Sequence, residues 1–379
     1  TSNFFNLPKG SDFEKQDFHF RMLKKIHHRT KLPKNIISII SVQNFQPNFS
    51  HIYLEKDAAV YPLAQLTLSK FPKAEILEID HYKDVFNRPR QDFQLQKASM
   101  KLILAKKTEP FLYPASDMVQ EYGTPNVFYN TPILNCLYNC DYCFLQGMYP
   151  SGNLVIFVNE EDFFNSIKYN LKNLDDPSKP MVVSISYNTD LMAMENIIPV
   201  TSRWIEFAKL QKNMRIEIRT KSALFSAIKD IESSENVILS WTLSPLEICE
   251  KYESTATPLH RRIKSLKQAL DLGWDVRLCF DPVILVNDWE KIYMRFVDDI
   301  FSEIDGKKLA DLTLGVFRMS KDYYNRIRKR EPRSDIYYSN YIIESNTVTV
   351  PIDQRQRALA ILKNRIAEYV TKDRIQVWG

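Results

Sequence analysis

The sequence predicts an α/β fold: a partial (β/α) TIM-type barrel preceded by a small N-terminal α/β region. Three observations carry that prediction. From residue 127 onward, short apolar runs alternate with stretches of helical length, the pattern of a parallel sheet with crossover helices. The runs are rich in β-branched and apolar residues, as in Val182–Ser186 and Val276–Phe280. Three cysteines directly follow the first run, and (β/α) barrels place their chemistry at the C-terminal ends of strands.

The elements follow in chain order. Residues 1–48 read as an N-terminal helical extension, with Phe13, Phe18, Met22, Leu23 and Ile26 at roughly helical spacing. Lysines and arginines interleave them, which suits a helix packed on the body or a basic arm. Residues 49–125 read as the small α/β region. Its strand-like runs are His51–Leu54, Ala74–Leu77 and Lys101–Leu104. Residues 126–379 read as the barrel. Its strands are expected at 127–130, 154–158, 181–186, 214–219, 236–242, 275–280 and 311–317. Helices are expected at 160–173, 195–211, 258–271 and 288–304, with a closing helix and strand at 354–370 and 374–378.

Composition narrows the function classes. At 379 residues and 44% hydrophobic, the chain can bury a large core. No apolar run approaches the roughly 18 residues of a membrane span, and Thr1–Gly10 lacks the pattern of a signal peptide. The expectation is a cytoplasmic protein with no membrane partner. A net charge of +5 permits contact with nucleic acid without requiring it. Five cysteines in so long a chain are not a disulfide scaffold.

Cys136, Cys140 and Cys143 are spaced C-x3-C-x2-C, with Tyr142 just before the last. Thiolates are the usual ligands of iron–sulfur clusters. Three on one loop hold a [4Fe-4S] cubane at three corners and leave one iron open. That iron can take the amino and carboxylate groups of S-adenosyl-L-methionine (SAM). A structural zinc site would want a fourth ligand and usually a second C-x2-C pair, and no such pair exists. A ferredoxin would want a fourth cysteine at a set spacing. A zinc-stabilised binding module remains the non-enzymatic alternative.

From Cys136 through Gln146 the loop resembles that of the spore photoproduct lyases, a radical SAM family that repairs a methylene-bridged thymine dimer in DNA. The resemblance spans roughly residues 50–372. It includes Ile52–Glu55, Tyr61–Leu63, Phe157–Asn159, Thr189–Asp190, Thr220–Lys221, Ser240 and Asp281–Pro282. It implies a barrel of the radical SAM kind and a lyase that forms a 5′-deoxyadenosyl radical. It also implies a DNA substrate and an electron donor such as flavodoxin or ferredoxin. By the same resemblance Tyr142 lines the SAM site, Lys221 lies by the SAM carboxylate, and Asp190 and Ser240 bond the ribose or methionine part. Asp281 contributes mainly backbone. Lys221 also reads as a surface lysine, and Asp190 as a helix N-cap.

Two positions depart from the family pattern. Tyr187 stands where the lyases keep the cysteine that returns a hydrogen atom to the repaired thymine, and Phe144 stands for a tyrosine. A tyrosine can carry a radical but is bulkier than cysteine. The substitution opens the alternative of another substrate on the same fold, such as a peptide, an RNA or a metabolite. Cys279 lies two residues before Asp281 on a probable strand, so both face one way; it reads as a second candidate donor or as a buried structural thiol. The basic residues Arg261, Arg262, Lys264 and Arg326–Arg333 read as phosphate contacts or as solvated helix faces.

Overall fold

The computed structural model describes residues 48–115 and 123–378. The helix expected within residues 1–48 falls almost wholly outside them. The strands, in chain order, are β1 (His51–Glu55), β2 (Glu75–Ile79), β3 (Leu102–Ala105), β4 (Tyr113–Pro114), β5 (Val127–Tyr129), β6 (Ile133–Leu134), β7 (Leu154–Phe157) and β8 (Met181–Ser184). They continue as β9 (Met214–Thr220), β10 (Val237–Thr242), β11 (Asp275–Val283), β12 (Asp311–Val316), β13 (Arg318–Ser320), β14 (Ile342–Glu344), β15 (Thr347–Thr349) and β16 (Ile375–Trp378).

The main sheet has the order β16-β12-β11-β10-β9-β8-β5-β4. Every pairing in it is parallel except β4 with β5. It curls as a half barrel. The second sheet has the order β2-β1-β3-β7-β6, and the third is a small antiparallel sheet of β13, β15 and β14. Here the structure corrects one expectation. The strand at 154–158 does not belong to the barrel series; β7 pairs in parallel with β3. All four of its side chains are buried, so its sequence carries no alternation to reveal which sheet it joins.

A parallel sheet normally buries apolar residues on both faces. This one does so mainly on one face. Ile216 and Ile218, Trp241, Leu278 and Leu314 are fully buried on the face shared with helices Val200–Lys209, Leu259–Asp271 and Ile352–Ile366. The alternate positions form a polar ladder. Glu217 on β9 accepts from Ser240 on β10 at 2.9 Å and from Arg277 on β11 at 3.2 Å. Arg277 reaches on to Asp311 on β12 at 2.5 and 2.7 Å. Buried charges persist only when paired and hydrogen-bonded, and this ladder pairs them across four strands. No described helix is long and apolar enough to cross a membrane.

Candidate active site

The cysteine loop leaves β6 through Asn135, whose φ of 73° lies in the left-handed region that asparagine tolerates better than most residues. Its amide holds the turn by donating to the carbonyls of Ser151 (2.9 Å) and Asn153 (3.0 Å). Cys136 and Cys140 are buried and Cys143 is half-buried. Burial pushes all three thiols up, Cys136 to about 12. Taking iron therefore displaces a proton from each.

Supports come from distant segments of the chain. From the 252–257 segment, the Tyr252 carbonyl accepts the Asp141 N–H at 2.8 Å, Thr255 accepts the Asn139 N–H at 2.6 Å, and Thr257 bonds the Tyr138 hydroxyl at 3.0 Å. From the C-terminal side, Ser334 donates to Asp141 at 2.6 Å and the Tyr337 hydroxyl donates to the Asp141 carbonyl. Arg326 and Arg330 satisfy the carbonyls at the end of the short helix Leu145–Met148: Gly147 at 3.0 Å, Tyr149 at 2.7 Å, and Gln146. Cationic side chains belong at such C-terminal ends. Gly147 lets helix Lys321–Arg330 lie against this helix, since a Cβ there would come within 2.5 Å of Tyr323. These arginines, which sequence reads as phosphate contacts or as solvated helix faces, brace the loop through these carbonyls. Arg262 is no phosphate contact. It is fully buried and pairs with buried Glu253 at 2.6 Å.

Glu253, which sequence reasoning missed, organises the floor behind the loop. It accepts the hydroxyls of Tyr142 and, at 3.2 Å, of Ser244. Burial works to raise its carboxyl, but Lys221 and Arg262 outweigh that and hold it below the ordinary carboxylate range. The Lys221 ammonium lies 5.3 Å from the centre of the Tyr142 ring. Lys221 is therefore a half-buried part of the site, beside the very tyrosine expected there.

The remaining expected residues lie on the barrel strands or in the segments that follow them, but most of their polar atoms are already engaged. Asp190 caps helix Leu191–Met194 through Ala193 N–H at 3.0 Å, and also accepts Thr220 Oγ1 and Lys221 N–H, both at 2.7 Å. It is a cap and a clamp on the end of β9. Ser240 spends its hydroxyl on Glu217. Asp281 forms a two-pronged pair with Arg318, at 2.9 and 3.1 Å. Gly315 leaves room for that pair; a Cβ there would stand 2.9 Å from both Arg318 Nη1 and Asp281 Oδ1. Gly315→Ala should cost about 1–3 kcal/mol of stability, as overpacking does, read as a lower midpoint in urea. Cys279 is fully buried on the polar face, in register with Thr313.

Tyr187 faces a cavity of about 290 Å³, lined by Tyr82, Tyr113, Tyr129, Leu134 and Met148 among others. Leu134 and Met148 flank the cysteine loop in sequence. The Tyr187 ring is 4.6 Å from Tyr129 and 5.6 Å from Phe144, and Tyr129 stacks on Tyr113 at 5.1 Å. Sequence reasoning found Tyr187 but not this array.

The residues fit a cluster and its sulfonium partner. Among the described residues no three His, Cys, Asp or Glu side chains form a group set to hold a metal ion; a cubane takes each thiolate at a different iron. Beside the loop, at the strand ends, Asn130, Asn188 Oδ1 and Thr189 Oγ1 are buried without hydrogen-bond partners. Buried polar atoms of that kind are ordinarily met by an ordered water, an ion or a ligand.

A curated spore photoproduct lyase from Geobacillus sp. (strain Y412MC61) is 20% identical over 292 residues, covering 75% of this chain and 83% of the relative. A spore photoproduct lyase structure complexed with dinucleoside spore photoproduct superposes with a TM-score of 0.74 at 15% identity, over 88% of this chain and 99% of its own. A variant structure with bound AdoMet and the same lesion gives 0.74 at 16%, over 87% and 99%. These two likenesses establish the fold. The family model described as spore photoproduct lyase matches residues 45–342, and with the three-cysteine loop inside that span, the chain belongs to the spore photoproduct lyase family.

Proposed function

We propose that this chain repairs a methylene-bridged thymine photoproduct in DNA at the mouth of its half barrel. As a member of its family it is a radical SAM lyase that uses a [4Fe-4S] cluster. When bound and reduced, the cluster supplies the electron that cleaves SAM to methionine and a 5′-deoxyadenosyl radical, which takes a hydrogen atom from the substrate.

The observation that carries the substrate is the tyrosine-lined cavity beside the cysteine loop. An enzyme that works on a base must take it out of the stack, and aromatic rings receive unstacked bases. The family match and the lesion-bound neighbours favour this substrate over the peptide, RNA or metabolite that Tyr187 suggested. We assign Cys136, Cys140 and Cys143 to the cluster, and Tyr142 and Lys221 to the SAM wall. Asp190, Ser240 and Asp281 then shape that wall mainly through their neighbours. Tyr187, with its phenol against the cavity, is the better placed hydrogen donor; Cys279 is sealed from solvent. The electron donor would be a small redox protein such as flavodoxin or ferredoxin.

Anaerobic enzyme given dithionite, SAM and dinucleoside spore photoproduct should return paired thymidines. Release of 5′-deoxyadenosine without thymidine product would sink the substrate assignment. Tyr187→Phe should keep the cavity and SAM cleavage but lower the yield of thymidine. An unchanged yield would remove Tyr187 as donor.

A further inference from the structure

The helix Phe93–Ala98 lies in the N-terminal region, yet three of its side chains end on the cysteine loop or the segment that follows it. Gln94 accepts from Asn139 at 2.8 Å and donates to Gln146 at 3.0 Å. Gln96 accepts from Ser151 at 3.0 Å and Gly152 N–H at 2.8 Å. Lys97 reaches closest to the cysteines. Its ammonium donates to the carbonyl of Cys136 and, at 3.1 Å, to that of Tyr138, with the Phe93 ring 5.8 Å away. Burial holds its ammonium below the ordinary lysine range, while the charges of the three cysteines work the other way. Nothing in the sequence marks this lysine, which sits in a run of glutamines that reads as surface.

We propose that Lys97 is a positioning residue for the cluster loop, and that its positive charge makes the bound cluster easier to reduce. The proposal rests on the cluster assigned above to the three cysteines. A cubane held by three thiolates is anionic and gains a further negative charge on reduction. A nearby cation away from bulk water therefore favours the reduced form over the oxidised one. The two carbonyl bonds fix that cation against the loop backbone, so its distance from the cysteines varies little.

The test is a redox titration of the reconstituted holoenzyme followed by electron paramagnetic resonance, with iron content measured on each sample. Lys97→Met and Lys97→Gln should both shift the cluster midpoint to more negative potential, and Lys97→Arg should stay near the parent value. If Lys97→Met holds no iron, Lys97→Gln carries the comparison, because its amide can still donate to the loop carbonyls. A wild-type midpoint in an iron-loaded neutral variant overturns the proposal. If the parent protein itself takes up no cluster, the assignment of the cysteines fails, and this inference fails with it.

Discussion

Cys143→Ala will give a folded, colourless protein that does not cleave SAM. A cubane held at three corners loses its grip when one thiolate is gone, because the loop has no fourth cysteine to replace it; Cys249 and Cys279 are buried elsewhere. Stability should change little. Cys143 is half-buried, and a thiol sulfur is a weak acceptor, so its contact with the Leu145 N–H contributes little. Iron content, visible absorption and thermal unfolding on one preparation check this together. A variant that kept the brown absorption and released 5′-deoxyadenosine would show that the iron is held by other groups.

Arg262→Met will be the most destabilising single change behind the site, at about 3–5 kcal/mol, the usual cost of breaking a buried ion pair from one side. Methionine keeps much of the volume, so the loss reports charge more than packing. Glu253 would remain buried beside Tyr142 and Ser244, and the nearby Lys221 places the expectation toward the lower end. Urea unfolding should show the shift, and Glu253→Gln combined with Arg262→Met should lose less than the two single losses added. The pair also sets a pH window. Glu253 is held below its ordinary value in the folded chain, so its contribution is complete above the unfolded carboxylate range. It is lost as pH falls through the lowered folded value. A cost for Arg262→Met under about 1 kcal/mol would mean the pair is solvated, contrary to the fold described.

The cysteine loop stands out in the sequence because a pattern of three thiols on eight residues needs no tertiary information. The barrel strands were legible for a similar reason, since each is a local apolar run. What was hidden depends on partners far along the chain. The run at 154–158 has the composition of a barrel strand, and only its pairing with β3 assigns it elsewhere. Arg262 read as a phosphate contact or a solvated face because composition does not say which guanidinium is buried. Glu253 lies in a polar stretch after helix Leu246–Tyr252 that resembles any loop. Asp190 was legible as a cap, and its two further bonds to the end of β9 were not. Gln94, Gln96 and Lys97 carried no signal at all.

The wide sequence separation of the loop's supports bears on how the protein is made. Tyr337 lies 196 residues beyond Asp141, whose carbonyl it holds. At roughly 5–20 residues per second, the ribosome needs on the order of 10–40 s to add that stretch. Through that interval the three thiols are outside the tunnel without their final scaffold, open to oxidation or to the wrong ion. The loop gains its full set of supports only once its carboxyl-terminal partners have been made.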